Sequence, residues 1–365
     1  MKNDDGQSKM IEEIREQPEI IKDIINKRVD FKTGRAVFEE FGDDKIRILK
    51  NIQRIIFLGC GTSYHAAIYG NYAFEELTGM NCEYETADEF AKREAVIESK
   101  TAVILLSQSG ETGDVLRAAR LAKEKDAFLI GITNEFNSSL AKYADVSVYT
   151  EAGQESAVAA TKTFTSQIML LGLLAVYFDS LNRKPPVLSE SAITELRSFS
   201  DKMGAVLKLG SEIKEIAGKY AQEKGYAVLG EKYNYPIALE AALKLKETAY
   251  LHAEGLATGE FRHGPLAIIE KGFPVIFLAP KDPVYEDNAR IIKEVKKAGA
   301  RILAVTTAGN SRLKDLADDI IYIPPALEIF VPVLSIIPLQ LLAYEIAVSK
   351  GLKIDTPRNL TKYVN

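Results

Sequence analysis

Residues 102–133 read AVILLSQSGETGDVLRAARLAKEKDAFLIGIT. AVILLS (102–107) is an apolar run of strand length, and a helical pattern follows from Asp114 to Lys125. FLIGIT (128–133) is a second apolar run. Two continuous apolar runs joined through a helix predict neighbouring parallel strands, buried on both faces. Working outward, IIFLG (55–59) comes earlier, followed by a helical pattern from Ser63 to Leu77, and VSVYT (146–150) comes later. This alternation predicts an α/β fold built on a doubly wound parallel sheet flanked by helices.

The pattern then recurs. YAVLG (226–230) echoes the end of IIFLG, FPVIFLAP (273–280) follows, and a helical stretch from Asn288 to Ala298 precedes RILAVTT (301–307). Ala144-Asp145 and Ala317-Asp318 lie 173 residues apart, as do Gly131 and Ala304. Two agreeing offsets point to an internal duplication. The organisation expected is an N-terminal helical arm (1–42), a first α/β domain (43–185), a linker helix (186–215), a second α/β domain (216–348) and a tail (349–365). In the arm, apolar residues of 8–30 fall at helical spacing and Pro18 marks a break or a helix start. The linker opens on Pro185-Pro186.

Composition narrows the function. The 365 residues carry 46 basic and 51 acidic side chains, a net charge of −5, which argues against nucleic acid as a partner. Cys60 and Cys82 are the two cysteines, so neither a disulfide framework nor a cysteine zinc site is expected, and His65, His252 and His263 show no metal-ligand spacing. The polar start MKNDDGQSK has no signal-peptide core, so a cytoplasmic enzyme or small-molecule binder is the expectation. Two apolar stretches read as buried helices rather than membrane spans. Ile168–Phe178 is eleven residues long, and 326–348 is interrupted by Glu328, Pro332, Pro338, Gln340 and Glu345.

Five segments bear on chemistry. In LLSQSGETGD (105–114), Ser107, Ser109 and Thr112 supply hydroxyls, Gln108 an amide, and Gly110 a close backbone approach at the start of a helix. A sugar phosphate suits that set better than a nucleoside triphosphate, since no P-loop lysine is present; the plain alternative is a cluster of helix caps. GCGTS (59–63) closes the first strand with Ser63 placed to cap the next helix or touch a ligand, and Tyr64 breaks the dinucleotide pattern. Glu240, Lys244 and Glu247 share one helix face. Spacing alone favours a solvated salt-bridge face, while the small apolar surroundings leave an acid–base face open. His263 in GEFRHGPLA sits in a loop, and Arg358 and Lys362 end the chain; a loop histidine titrating near neutrality and a solvated basic tail are the plain readings.

Taken together, GCGTSY, SQSGETGD, ESAVAATKTFTSQ, ALEAALKLKETAYLHAE, GEFRHGPLA and PRNLTKYV resemble the isomerase half of the glutamine–fructose-6-phosphate aminotransferase (glucosamine-6-phosphate synthase) family. The resemblance covers nearly the whole chain. It implies two tandem sugar isomerase (SIS) domains, each a flavodoxin-like three-layer sandwich. It implies that Ser63, Ser107, Gln108, Ser109 and Thr112 hold the sugar phosphate and that Val158 touches the sugar through its backbone. Glu247 would shuttle a proton between C-1 and C-2, with Glu240 and Lys244 shaping that pocket. His263 would assist ring opening from the neighbouring subunit of a homodimer, Lys362 would act on the open-chain sugar, and Arg358 would anchor the tail. The implied chemistry calls for no metal and no redox cofactor.

Two departures from the family pattern stand out. The chain shows no glutaminase domain, and Cys60 and Cys82 fall inside the first α/β domain, so glutamine hydrolysis is not expected on this chain and ammonia would be free or come from a separate glutaminase subunit. Ala160 replaces a serine common in the loop before Thr161-Lys162. The expected activity is interconversion of fructose 6-phosphate plus ammonia with glucosamine 6-phosphate. The alternatives are a glucosamine-6-phosphate deaminase and a non-catalytic sugar-phosphate sensor.

Overall fold

The computed structural model describes residues 8–182 and 188–362. The Pro-Pro linker opening, the first seven residues and the last three lie outside the described residues. Contacts divide the chain into two units. The N-terminal unit comprises Glu19–Gln154 and Lys162–Phe199; the C-terminal unit comprises residues 8–18, Glu155–Thr161 and Ser200–Lys362.

Helix α1 (Lys9–Arg28) contributes to both units, which divide at Pro18. Pro18 does not end the helix, contrary to the expectation of a break or start. A proline at this position leaves the Ile14 carbonyl without its helical N–H. The Gln17 side-chain amide donates to that carbonyl at 2.9 Å, so the loss is repaired locally.

After the short hairpin β1–β2 (Val29–Asp30, Arg35–Ala36) and α2 (Asp43–Leu49), the N-terminal unit runs β3 (Arg54–Gly59), α3 (Thr62–Thr78), β4 (Asn81–Thr86), α4 (Ala87–Lys92), β5 (Thr101–Leu106), α5 (Gly113–Glu124), β6 (Phe128–Thr133), α6 (Ser139–Tyr143), β7 (Val146–Tyr149) and α7 (Lys162–Asn182). Its parallel sheet has the order β4-β3-β5-β6-β7. From β3 the chain steps one way to β4 and then across to β5, so the strand order reverses between β3 and β5. Open α/β sheets place ligands at such a point, beyond the carboxyl ends of the strands. Ile55–Leu58 and Ala102–Leu106 are buried throughout, as strands covered on both faces must be. Phe57, Phe74 and Phe178 meet edge to face, with centroids 5.1–5.2 Å apart, and fix β3, α3 and α7 together.

Three helices, α8 (Glu190–Arg197), α9 (Phe199–Leu207) and α10 (Gly210–Tyr220), replace the single connecting helix expected here. The C-terminal unit continues with β8 (Gly225–Gly230), α11 (Tyr235–Ala249), β9 (His252–Ala257), β10 (Pro274–Leu278), α12 (Tyr285–Lys297), β11 (Arg301–Thr307), β12 (Asp319–Ile323) and α13 (Val331–Ser349). Its sheet order, β9-β8-β10-β11-β12, repeats that of the first sheet.

Helix α7 is 21 residues long, not the eleven-residue apolar run, because Lys162–Gln167 and Asp179–Asn182 extend it at its two ends. Both α7 and the segment Glu328–Ser349 are long and apolar enough to cross a membrane by length and composition, and 78% and 83% of their apolar windows are buried within the protein. That is the burial of core helices in a large α/β fold.

Candidate active site

The hydroxyl-rich loop follows β5, at the reversal point of the first sheet. Its geometry is set by its own backbone. Ser107 Oγ accepts the Gly110 N–H at 3.0 Å and bonds Thr112 Oγ1 at 2.9 Å. Ser109 Oγ accepts the Glu111 N–H at 3.1 Å. The Gln108 carbonyl accepts the Asn134 N–H at 3.0 Å and the Thr133 hydroxyl at 3.2 Å, which ties the loop to β6. Gly110 turns the chain at φ +65°; a Cβ there would fall 2.2 Å from Ser138 Oγ, so only glycine fits. Thr112 is the residue before α5 but its side chain does not cap the helix. First-turn N–H groups of a helix have no helical acceptor and favour an anion. Hydroxyls, an amide and a helix start thus converge on one loop.

Ser63 lies one strand over, in the first turn of α3, and makes no cap. Its hydroxyl accepts from Gln167 Nε2 of α7 at 3.1 Å instead. Cys60 beside it is held as a thiol: burial, then Asp114, pushes its pKa up to about 11. Burial, then Glu75 and Glu83, takes Cys82 up to about 12. Neither is an activated nucleophile.

In the C-terminal unit, α11 carries the second constellation. Lys244 Nζ is 3.2 Å from Glu240 Oε1 and 2.5 Å from Glu247 Oε2. The side chains of Lys244 and Glu240 are 0% exposed and that of Glu247 is 18% exposed. This is not the solvated face that spacing alone favoured. Burial on its own would lower the Lys244 pKa, but the Glu240 and Glu247 carboxylates outweigh it and raise the value above the ordinary lysine range. A buried ammonium and a buried carboxylate persist only as partners, since either alone costs several kcal/mol. The cation fixes the Glu247 carboxylate in place. Glu247 lines a 510 Å³ surface pocket with Tyr250, His252, Arg358 and Leu360 among its walls. A carboxylate held by a cation at the edge of a pocket can take and return a proton.

The tail closes one side of that pocket. The Arg358 guanidinium stacks 4.2 Å from the Tyr250 ring centroid, and the Arg358 N–H donates to Tyr250 Oη at 2.9 Å. Lys362 Nζ donates to Glu155 Oε2 at 2.9 Å and to the Ala157 carbonyl at 2.6 Å. Val158 gives its N–H to the Asp355 carbonyl at 3.2 Å, so a backbone contact with a sugar falls to its carbonyl. His263 follows a short 3-10 turn (Glu260–Arg262) and is exposed; the histidine in the Glu247 pocket is His252. The sequence pattern alone does not single out His252 or Glu155 as site residues, although both lie inside the segments that carry the family resemblance. Among the described residues, no cluster of three or more His, Cys, Asp or Glu is arranged to hold a metal.

The SIS domain family model matches residues 48–177 and 219–350, once on each α/β repeat. The chain belongs to the SIS domain family. The glutamine–fructose-6-phosphate aminotransferase (isomerizing) of Chlorobaculum tepidum is 41% identical over 358 residues, which make up 97% of this chain and 58% of that protein. This SIS pair therefore spans under three-fifths of the length of that curated relative. The solved C-terminal domain of glucosamine-fructose-6-phosphate aminotransferase from Francisella tularensis is similar at 31% identity and a TM-score of 0.88, covering 98% of this chain and 100% of that one. Glucosamine-6-phosphate deaminase from Thermotoga maritima is similar at 26% identity and a TM-score of 0.75, covering 98% and 99%. Both of the first two matches extend over the two repeats of this chain that carry the Ser107–Thr112 loop and the Lys244 triad.

Proposed function

We propose that the chain is a sugar-phosphate aldose–ketose isomerase of amino-sugar metabolism that interconverts fructose 6-phosphate plus ammonia with glucosamine 6-phosphate. The observation that carries this reading is the triad on α11, in which the buried Lys244 pins Glu247 at a pocket edge. The name of the 41% identical relative supports it, although that protein is longer than this chain.

In this mechanism Ser63, Ser107, Gln108, Ser109 and Thr112 hold the phosphate. His263, contributed by a second copy in a homodimer, and Lys362 assist ring opening. Ammonia adds to the C-2 ketone and water leaves, giving an imine. Glu247 removes the C-1 proton while the imine nitrogen takes up a proton, giving an enolamine; Glu247 then returns its proton to C-2 as the O-1 hydroxyl gives up its own, which leaves the 2-amino aldose phosphate. Glu240 and Lys244 maintain the carboxylate's position, and Arg358 keeps the tail in place. A positioned base contributes about 10²–10⁴-fold. Every step is reversible. The Thermotoga maritima deaminase, matched over nearly its full length, favours a second reading in which the chain works in the direction that releases ammonia.

The test supplies fructose 6-phosphate with ammonium or with glutamine, and glucosamine 6-phosphate alone, and measures product in each. Turnover with ammonium but not glutamine fits a chain that needs a separate ammonia source. Tight binding without turnover in any direction removes the enzyme reading. Glu247→Gln should bind sugar phosphate within about threefold of the parent while losing solvent deuterium incorporation by at least about a hundredfold.

A further inference from the structure

Three separate stretches of the C-terminal unit meet at one residue, Asp355. Asp355 Oδ1 accepts the Ser8 hydroxyl at 2.6 Å and the Met10 N–H at 3.0 Å, and Oδ2 accepts the Lys9 N–H at 2.9 Å. A tail residue thus satisfies the first N–H groups of α1, 345–347 positions away in sequence. A carboxylate at a helix N-terminus also answers the positive end of the helix dipole. The same residue's carbonyl accepts the Val158 N–H. Loop 155–158 is in turn held from α1: Glu13 Oε1 accepts the Ser156 and Ala157 N–H groups. The circuit closes when Lys362 donates to Glu155 and to the Ala157 carbonyl.

We propose that Asp355 is the positioning residue of the tail, clasping it to the start of α1 and to Val158 so that the Lys362 ammonium is delivered against Glu155. This rests on the reading of Lys362 as a group that acts on the sugar. Asp355 itself touches none of the residues assigned to the proton transfer. Three of the tail's contacts among the described residues are not equivalent. Arg358 grips Tyr250 through an exposed stacking contact. Lys362 is only 15% exposed at its side chain and is bound through its own head group, the group that must be free to act. Asp355 and Arg358 both hold the tail by atoms the chemistry does not use, and of the two the Asp355 carboxylate makes three hydrogen bonds to the start of α1. Loss of the clasp therefore leaves the tail to the exposed Arg358 stack and to the Lys362 contacts that turnover must break.

Asp355→Asn keeps the shape while replacing one accepting oxygen with an amide that donates. Hydrogen exchange on the full chain should show the Val158 amide and residues 356–362 exchanging at least about tenfold faster, the loss of a cap's worth of protection, with β3 and β8 unchanged. With turnover assayed in whichever direction the parent supports, kcat should fall about tenfold and the KM for sugar phosphate should stay within twofold. Should Asp355→Asn fold poorly, Ser8→Ala removes one of the three bonds and should give a smaller rise in exchange at the same amides. Unchanged exchange at Val158 and the tail overturns the clasp, and so does an equal rise across both sheets. A parent chain with no turnover sinks the proposed function while the exchange result still decides the clasp.

Discussion

Replacing Lys244 by methionine tests whether the triad is a buried charge system. Methionine keeps an unbranched apolar stem close to that of lysine, with sulfur in place of Cδ, and removes the ammonium. At 3.2 and 2.5 Å each carboxylate interacts with that ammonium by about 5–7 kcal/mol at an effective dielectric of 20. Much of this attraction is offset by desolvation, and removing one member of a buried pair costs about 3–5 kcal/mol net. At about 2–4 °C per kcal/mol for a domain of this size, Lys244→Met should lower Tm by about 6–20 °C at pH 7. The pH dependence carries a sign. The Lys244 pKa is raised in the fold, so its stabilisation is fully present below the unfolded lysine value of about 10.4 and is lost only as pH rises through the still higher folded value. The parent should therefore show no loss from this group between pH 5 and pH 9. In the variant, acid protonates one of the two stranded carboxylates, so the deficit should shrink as pH falls from 7 to 5. Thermal unfolding followed by near-ultraviolet circular dichroism at pH 5, 7 and 9 reads both quantities. A fall of less than about 2 °C at pH 7, or a deficit equal at all three values, would refute compensation by Lys244.

Gly110→Ala forces a Cβ into Ser138 and Thr133 at a left-handed φ, so it should cost about 2–4 kcal/mol and weaken sugar-phosphate binding more than tenfold by calorimetry; unchanged affinity would separate the loop from the ligand. Asp282 is pushed up to about 6 by burial first and by Glu328 second, with Lys232 opposing. Its folded pKa lies above the unfolded value near 3.9, so the parent gains stability from this group as pH falls through 6 toward 4. Asp282→Asn should raise Tm at pH 7.5 and flatten the Tm profile between pH 4 and pH 7, and a profile parallel to the parent's would show that the carboxyl is not strained.

The central strands were legible because β3, β5, β6, β8, β10 and β11 are apolar on both faces, a signal that survives without any partner. The edge strands β4 (NCEYET) and β9 (HAEGLA) were missed for the opposite reason: each pairs on one side only and reads as mixed polar sequence. Pro18 misled because the repair lies in a neighbouring side chain, Gln17, which no helix rule registers. At the site, spacing put Glu240, Lys244 and Glu247 on one face but could not tell a salt-bridged surface from a buried triad. What decides is burial, and burial comes from the packing of α11 between β9 and α13. Glu155 carried no local signal at all, because its meaning comes from Lys362, 207 residues on.

The two repeats show where a duplicated scaffold is constrained and where it is free. Asp145 accepts the Leu129 N–H and pairs with Lys123; Asp318 accepts the Ile302 N–H and pairs with Lys296, each residue 173 positions on. A Cβ on Gly59 would strike the Ser63 backbone at 2.5 Å, and one on Gly230 would strike Asn234 at 2.2 Å. These features fix how a strand enters its helix and how an outer strand is pinned, so substitution in either copy breaks the sheet. The residues beyond the strand ends carry no such duty. After β5 stands SQSGETGD, and after β10 stands APKDPVY, with neither the hydroxyls nor the glycine. The helix after β3 opens with Ser63, whereas the helix after β8 bears Glu240, Lys244 and Glu247. The repeats thus differ in the loop after the β5/β10 strand and on one helix face; under the proposed function the hydroxyl loop would hold a phosphate and the Lys244 triad would serve the proton transfer.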